Sequence, residues 1–375
     1  MQTIAKPELL APAGNLDALN AALNAGTDAV YLGTNAFNAR RNADNFDLES
    51  LASACDLAHL AGRKVYLALN TIILPEEMDE AIDTAVQAWR AGVDALIVQD
   101  LGLLEAVHRR LPQVEIHAST QMNIHDENGV RLASRLGADR VTLAREMSLS
   151  EIETMCATGI PIEVFVHGAL CICYSGQCLA SSLIGGRSAN RGLCAQPCRL
   201  PYKLMDTSTH KTFFQEGEYA LSPKDLCGIS VLPQLIRAGV SSLKIEGRMK
   251  SAAYVSVVTD VYRGALDRAY EAVCANDDAS FHVTDDEKNR LAEVFSRGFS
   301  TAYMEGERGA AMMSAARPNN RGKQVGRIAG MRDGLVAIDL DSEVNAGDVL
   351  EFWTSQGRFA QEVFTLHPDP EKPKR

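Results

Sequence analysis

Short apolar runs recur along the first 250 residues and alternate with longer stretches that are apolar on one face only. The short runs have the length and continuity of strands that are buried on both faces of a parallel sheet. The longer stretches repeat their apolar residues at the spacing of an α-helix. The pattern predicts strands at residues 9–11, 29–32, 65–69, 95–98, 116–118, 141–144, 162–166 and 243–245, and helices that include 15–24, 48–60, 75–89, 128–136 and 252–270.

A short repeat marks the joints between helix and strand. Residues 26–30, 92–96 and 137–141 each begin with Gly-x-Asp, and residues 239–243 are a looser copy. Glycine just past a helix end supplies the left-handed cap that closes the last turn. Strands and helices that alternate through such short joints favour a parallel sheet. Eight strands before a final helix predict a closed (β/α)₈ barrel of the TIM type, with an open doubly wound sheet as the alternative.

The regular spacing breaks once, between the seventh and eighth predicted strands. About 75 residues lie there, and the long insertion follows the carboxyl end of a strand, the face where barrel enzymes place their chemistry. The predicted organisation is a barrel over residues 1–275 with an insertion at 167–240. It continues as a helical linker region at 276–315, a small β-barrel-like module at 316–367 and a disordered tail at 368–375.

Composition narrows the class of protein. No apolar run approaches the length of a membrane span, and the first residues lack the layout of a signal peptide, so we expect a cytoplasmic protein without membrane partners. The net charge of −11 does not indicate that the molecule as a whole binds nucleic acid. Two basic stripes, at 187–203 and 317–332, contain no acidic residue and either contact phosphate or form ordinary solvated faces.

Cysteines are concentrated in the insertion. Five of the nine fall between residues 171 and 198, and an odd total without an export signal argues against a disulfide framework. Cys171 and Cys178 are separated by six residues, and Cys194 and Cys198 by three. Glycines between the two pairs let the chain fold back, and nearby arginines would offset thiolate charge. We therefore predict an iron–sulfur cluster on these four cysteines.

Two other interpretations of the cysteines remain open. Structural zinc sites use pairs two to four residues apart, a spacing that only Cys194 and Cys198 have. The thiols could also be small buried hydrophobes. Within the iron–sulfur interpretation, Cys173 or Cys227 could replace one of the four ligands.

Polar residues follow the carboxyl ends of most predicted strands. Such a mixed lining suits a small anionic or hydroxylated ligand, because arginine grips carboxylates with two parallel hydrogen bonds. Each residue taken alone could instead be an ordinary ion pair or helix cap. The candidates are Asn38, Arg40, Asn70, Gln99, Asp100, Gln121, Asn123, Arg145, Glu146, His167, Glu246 and Arg248.

Glu163 lies inside the seventh predicted strand, where a carboxylate is costly unless it is paired. It either points into the barrel against an arginine or faces a helix. No P-loop, dinucleotide fingerprint, zinc-protease helix or nucleophile elbow occurs in the chain. A hydrolase would therefore show no recognisable nucleophile here.

Several separate motifs resemble peptidase family U32, the collagenase-like peptidases. The resemblance covers residues 7–310. It rests on Glu-Val-Phe-Val-His-Gly-Ala-Leu-Cys at 163–171, Ser-Gly-Gln-Cys-Leu-Ala-Ser at 175–181, Glu-Leu-Leu-Ala-Pro-Ala-Gly-Asn at 8–15, Phe-Asn-Ala-Arg at 37–40 and Ser-Leu-Lys-Ile-Glu-Gly-Arg at 242–248. The segment 186–199 looks most like the branches that hydroxylate ribosomal RNA and transfer RNA.

This resemblance implies a 4Fe-4S cluster on Cys171, Cys178, Cys194 and Cys198, and prephenate as a co-substrate in the RNA-modifying branches. A quinone-modifying branch takes its fourth cysteine from further along the chain, which keeps Cys227 as an alternative.

The resemblance leads to a first hypothesis, an iron–sulfur enzyme that hydroxylates a nucleobase in ribosomal or transfer RNA, with an unidentified electron donor. Arg40, Arg145 or Arg248 would hold the carboxylate co-substrate, and Glu246 and His167 are proton-transfer candidates. We predict that Glu246, His167 and Arg248 are catalytic and that the substrate is bound by Arg40, Asn38, Asn70, Gln121 and Arg145. A peptidase is the second hypothesis, and a non-catalytic RNA-binding factor the third.

Overall fold

The computed structural model describes residues 4–41, 43–213, 217–315, 318–320, 322–332, 334–354 and 357–367. The chain divides into two compact units, residues 1–321 and 322–375. In the described residues, no helix is both long enough and apolar enough to cross a bilayer.

Eight parallel strands of the first unit close into a barrel. The last of them, β9, pairs with both the first and the seventh, through Leu9 opposite Leu243 and Val164 opposite Leu243. The predicted (β/α)₈ barrel is therefore confirmed, and the open-sheet alternative is wrong. The nine strands up to this closure are β1 Glu8–Pro12, β2 Ala29–Leu32, β3 Lys64–Leu69, β4 Ala95–Val98, β5 Glu115–Ala118, β6 Arg140–Thr142, β7 Ile162–Ala169, β8 Asp225–Cys227 and β9 Ser242–Ile245.

Helices fill the connections between strands and bury their apolar faces against the outside of the barrel. Side chains cap several of their first turns; Ser148 and Glu151, for example, form a reciprocal capping box. The helices are α1 Leu16–Asn24, α2 Leu48–Leu60, α3 Met78–Arg90, α4 Leu101–Arg110, α5 Glu127–Arg135, α6 Leu149–Cys156, α7 Ala180–Gly185, α8 Leu232–Ala238, α9 Ala252–Cys274 and α10 Asp285–Val294.

The Gly-x-Asp repeat has a structural explanation. Its glycines adopt positive φ, between 83° and 111°, where a Cβ would be strained. Each aspartate then accepts a hydrogen bond from the N–H of the second residue of a neighbouring strand, which satisfies a donor at the amino end of the barrel. The pairs are Asp28 with the Leu9 N–H at 2.8 Å, Asp94 with the Val65 N–H at 2.7 Å and Asp139 with the Ile116 N–H at 2.8 Å.

The insertion contains a strand that the sequence pattern did not predict. In β8, Leu226 lies antiparallel opposite Gly168 of β7, and the two-residue strand β10, Phe299–Ser300, pairs with the other edge of β8. These pairings extend β7 beyond the barrel rim, so that the insertion leaves and returns at the carboxyl mouth.

A buried ion-pair network occupies the amino end of the barrel interior. The Glu163 carboxylate lies 2.8 Å from Nζ of Lys244 and 3.4 Å from Arg140, which also lies 2.6 Å from Glu8. Of the two orientations that the sequence left open for Glu163, the structure shows the one that points into the barrel against an arginine. Burial alone would raise the pKa of Glu163, but Lys244 and Arg140 outweigh it and lower the pKa from 4.5 to about 2.

Among its described residues, the second unit contains two pairs of antiparallel strands. Strand β11, Gly326–Arg332, pairs with β12, Leu335–Leu340, and β13, Val349–Thr354, pairs with β14, Gly357–Glu362. Closure of this module into a small barrel stays a prediction. The predicted disordered tail at 368–375 lies outside the described residues.

The Glu163→Gln variant should lose about 3–5 kcal/mol of unfolding free energy at pH 7, because it leaves Lys244 and Arg140 as buried charges with a neutral partner. Urea denaturation measures this loss. The matched control Glu127→Gln breaks an exposed pair with Arg131 and should cost less than about 0.5 kcal/mol.

The pH dependence of that difference identifies its cause. A carboxylate with a lowered folded pKa stabilises the protein above its unfolded pKa and loses that effect as the pH falls through the folded value. The advantage of the wild type should be complete above pH 4.5 and shrink towards pH 2. A difference that does not change over this range would contradict the ion-pair explanation.

Candidate active site at the carboxyl mouth of the barrel

Glu246, directly after β9, is the centre of an ion-pair cluster at the mouth. Its Oε1 accepts hydrogen bonds from Nη2 of Arg40 at 2.8 Å and Nε at 3.2 Å, and its Oε2 lies 3.2 Å from Nη2 of Arg145. The Arg145 guanidinium also lies 3.8 Å from the centre of the Phe165 ring, a cation–π contact. The structure therefore brings together three predicted site residues from three different strand ends.

Charge fixes the protonation state of this cluster. Burial would raise the pKa of Glu246, but Arg40 and Arg145 outweigh it and lower the pKa from 4.5 to about 2. Glu246 in turn raises the pKa of Arg40. The carboxylate is ionised at neutral pH, so it holds the two guanidinium groups in place and has no proton to donate.

Arg248 lies beside this cluster and is almost completely buried. Its guanidinium donates to Oδ1 of Asn38 at 3.1 Å and to Asn45. A Cβ at Gly33 would lie 2.3 Å from the same guanidinium, so a larger residue there would have to displace the Arg248 side chain. Sequence reasoning missed Asn45, because nothing local marks a loop asparagine as the partner of a residue about 200 positions away.

Amide side chains continue the lining on the other side of the mouth. Asn70 accepts a hydrogen bond from the Ala39 N–H at 3.0 Å, and Gln121 donates to the Asn70 carbonyl at 3.2 Å. Gln99 donates to the Gln121 carbonyl at 3.4 Å. The predicted substrate-binding residues Asn70 and Gln121 thus lie in one connected row.

His167 does not share this cluster. Its ring packs against Tyr254, Tyr262 and Phe299, and its Nδ1 lies 3.3 Å from the Tyr262 hydroxyl, on the side of α9. Burial, with a smaller effect from Lys250, lowers the pKa of His167 from 6.5 to about 3. The ring is neutral and enclosed, so nothing in this position supports the predicted proton-transfer role.

Cys171 follows β7 by two residues and lies beside the arginines. The residue as a whole is exposed, but loss of solvent around its sulfur raises the pKa of the thiol, whereas Arg145 and Arg40 act to lower it. Burial also raises the pKa of Cys198, Arg199 lowers it, and negative charge on Cys171, Cys194 or Cys178 would raise it further. The four predicted ligands therefore share one electrostatic neighbourhood.

Cys194 receives polar contacts from the insertion itself. The Gln196 N–H donates to its sulfur at 3.4 Å, and the Ser181 hydroxyl lies 3.9 Å away. Such donors stabilise a thiolate. Over the part of the chain that the structure describes, however, no three His, Cys, Asp or Glu side chains already have the geometry of a metal site.

Cys173 and Cys227 occupy different surroundings. Cys173 interacts with Cys178 and with Cys171, and so lies near two of the predicted ligands. Cys227 lies 3.9 Å from the Tyr262 hydroxyl, near α9, and burial raises its pKa to about 11. None of the four predicted ligands is among the groups that shift the pKa of Cys227.

Glycine contacts seat the insertion on the barrel. A Cβ at Gly176 would lie 2.0 Å from the Gln121 carbonyl oxygen, and one at Gly192 would lie 2.3 Å from that of Asn38. The insertion backbone therefore touches the barrel mouth at two points where no side chain fits. Both glycines also have positive φ, at 71° and 79°.

Basic residues of the first stripe, 187–203, also help to hold the insertion in place. Arg191 forms a two-point ion pair with Glu77 and donates to the Ile72 carbonyl at 2.9 Å. Arg199 donates to the Ser222 hydroxyl at 2.7 Å. Two of its four basic residues thus bind the protein itself. Arg317 and Arg321 of the second stripe lie outside the described residues.

A closed (β/α)₈ barrel whose charged, amide and thiol side chains converge at the carboxyl mouth has the architecture of a barrel enzyme. Residues 14–314 match peptidase family U32. The chain belongs to peptidase family U32, as its motifs predicted, and it is an enzyme.

Relatives in this family carry different names. tRNA hydroxylation protein P1 of Bacillus subtilis is 41% identical over 81% of this chain and 72% of its own length. A 23S rRNA 5-hydroxycytidine synthase of Escherichia coli is 43% identical over 70% of this chain, which spans only 40% of that protein. A collagenase of Porphyromonas gingivalis is 37% identical over 80% of this chain and 74% of its own length.

The Gly176→Ala variant should unseat the insertion, because its methyl group has no room against the Gln121 carbonyl. Gly186→Ala is the matched control, since Gly186 also has positive φ but a Cβ there would meet no atom within 4 Å. We expect Gly176→Ala to cost about 1–3 kcal/mol more than the control. Limited proteolysis within residues 167–200 should also be faster; equal stability and cleavage would contradict the contact.

Proposed function

We propose that this enzyme hydroxylates a nucleobase in RNA, using an iron–sulfur cluster and a small hydroxylated carboxylate of the prephenate class as co-substrate. In balanced form, a base C–H and a donor R–OH give base C–OH and R–H. The base is oxidised by two electrons and the donor is reduced by two. The single observation that carries the proposal is the convergence of the cysteine insertion and the Arg40–Glu246–Arg145 cluster at one barrel mouth.

The spacing of the donors favours an iron–sulfur cluster over zinc, because the six residues between Cys171 and Cys178 exceed the two to four that are usual in structural zinc sites. Cys171, Cys178, Cys194 and Cys198 offer four sulfur donors in one electrostatic neighbourhood, with hydrogen-bond donors at Cys194. When bound, such a cluster would supply one-electron chemistry beside the ligand site. Desolvation raises the pKa of Cys171, and Arg145 and Arg40 oppose that rise, so the two arginines would offset thiolate charge.

Arg40 is the residue best placed to bind the carboxylate co-substrate. Its side chain is about one-third exposed, whereas Arg145 and Arg248 are largely enclosed. Glu246 uses one edge of the Arg40 guanidinium and keeps the group oriented. The ionised Glu246 is thus a positioning residue, and it would also repel a carboxylate that approached from its own side.

RNA as the substrate rests on the relatives. Two of them are named for hydroxylation of transfer RNA or formation of 5-hydroxycytidine in ribosomal RNA, and their alignments cover 81% and 70% of this chain. RNA modification would place the protein in the cytoplasm. The relative named collagenase keeps proteolysis as the competing function. Within the described residues, the mouth cluster offers arginines around an ionised carboxylate, which is not a nucleophile–base pair.

Anaerobic purification should give a brown protein with iron and acid-labile sulfide in equal amounts. Single Cys→Ser changes at the four predicted ligands should remove most of both, because each deletes one cluster ligand. Cys55→Ser, in the buried core away from the insertion, is the control and should keep its iron. A colourless wild-type protein with stoichiometric zinc would contradict the cluster.

Deletion of the gene should remove one hydroxylated nucleoside from bulk RNA, measured by mass spectrometry of digested tRNA and rRNA. The wild-type gene should restore the nucleoside, and the Cys171→Ser gene should not. An unchanged nucleoside profile, together with gelatin cleavage that survives iron removal, would favour the peptidase instead.

A further inference from the structure

A groove of about 820 Å³ opens beside the cysteine insertion. The ends of β4 and β5 and one face of α5 form most of its wall, and Gly176, Gln177 and Asn190 of the insertion close one side. Gln177, which lines the groove, directly precedes the predicted cluster ligand Cys178 in the sequence. This volume is typical of sites for small organic ligands.

Gln99 at the groove carries a hydrogen-bond acceptor that the protein does not use. The side chain is only 5% exposed, and its Oε1 is buried without a partner. Its Nε2 donates to the Gln121 carbonyl at 3.4 Å, and since a carbonyl can only accept, this contact identifies the other end of the amide as the oxygen without a partner. A buried acceptor without a partner is costly unless a ligand satisfies it.

The other walls argue against a metal ion and for a flat, partly apolar ligand. The carboxylates of Asp100 and Asp126 already accept backbone N–H groups at the starts of α4 and α5, at 2.9 and 2.7 Å. Ile72, Leu101 and Leu132 line the groove and are each more than 40% exposed. A planar ring with an N–H at its edge would cover this apolar surface and satisfy Gln99.

We propose that the groove binds the pyrimidine base that is hydroxylated, with Oε1 of Gln99 accepting a hydrogen bond from an N–H of its pairing edge. This inference rests on the proposed function and assigns its substrate subsite. A base in structured RNA would have to leave its stack to enter, as in other enzymes that modify bases. The pairing edge carries such an N–H in both cytosine and uracil.

The test compares Gln99→Met with Gln87→Met, in full-length protein purified anaerobically. Methionine keeps the length of the side chain but removes the acceptor, and Gln87 is an exposed glutamine of α3 outside the groove. RNA from a strain that lacks the gene is the substrate. We expect Gln99→Met to lower kcat/KM for base hydroxylation about tenfold to a hundredfold. The RNA Kd and Tm should stay close to those of the control.

Leu132→Glu provides a second variant that does not disturb the core. The position is 46% exposed and lines the groove, so a carboxylate there should hinder base entry and lower kcat/KM at least tenfold without changing Tm. Hydroxylation that proceeds at the wild-type kcat/KM in both variants would overturn the assignment while leaving the proposed function intact.

Failure of the proposed function gives a separate result. If wild-type protein hydroxylates no RNA, ligand-observed NMR with cytidine and uridine tests the groove directly. Binding that disappears in Gln99→Met but persists in Gln87→Met would uphold a pyrimidine site with another role. Equal binding in the two variants, or none to the wild type, would overturn it.

Discussion

The carboxylate of Glu246 is the constraint on which the barrel mouth depends. It is largely buried, yet Arg40 and Arg145 keep it ionised by hydrogen bonds from two other strand ends. Position 168 needs glycine, because a Cβ there would lie 2.8 Å from the Glu246 Cβ. Glu246 therefore sets both the positions of two guanidinium groups and the path by which β7 leads into Cys171.

The insertion adds cysteine thiols to the barrel mouth that Glu246 holds in place. Three contacts hold the insertion in place. Gly176 and Gly192 touch the barrel mouth, and Arg191 forms an ion pair with Glu77. Thiols that would repel one another as thiolates are thereby kept close to arginines. The same positive charge suits a carboxylate ligand, so a net charge of −11 over the chain is compatible with a locally cationic site.

Much of the barrel could be predicted because its signals are local. Each strand is an apolar run, and Gly-x-Asp marks three joints through a hydrogen bond between adjacent strands. The sequence pattern missed β8 because its three residues, Asp-Leu-Cys, are neither an apolar run nor long enough to show a periodicity. The surroundings of His167 were also missed, since a strand end gives no sign of whether a side chain faces the mouth or α9. Partners such as Asn45 and Arg248 are joined only by the closed fold.

The central claim, that four particular cysteines bind one cluster, is tested most directly by mapping thiol reactivity. Anaerobic protein is alkylated before and after iron chelation, and each cysteine is quantified by mass spectrometry. We expect slow alkylation, until iron is removed, of the four predicted ligands Cys171, Cys178, Cys194 and Cys198. Cys173 should be alkylated from the start. Alkylation of Cys171 as fast as Cys173 in iron-loaded protein would contradict it.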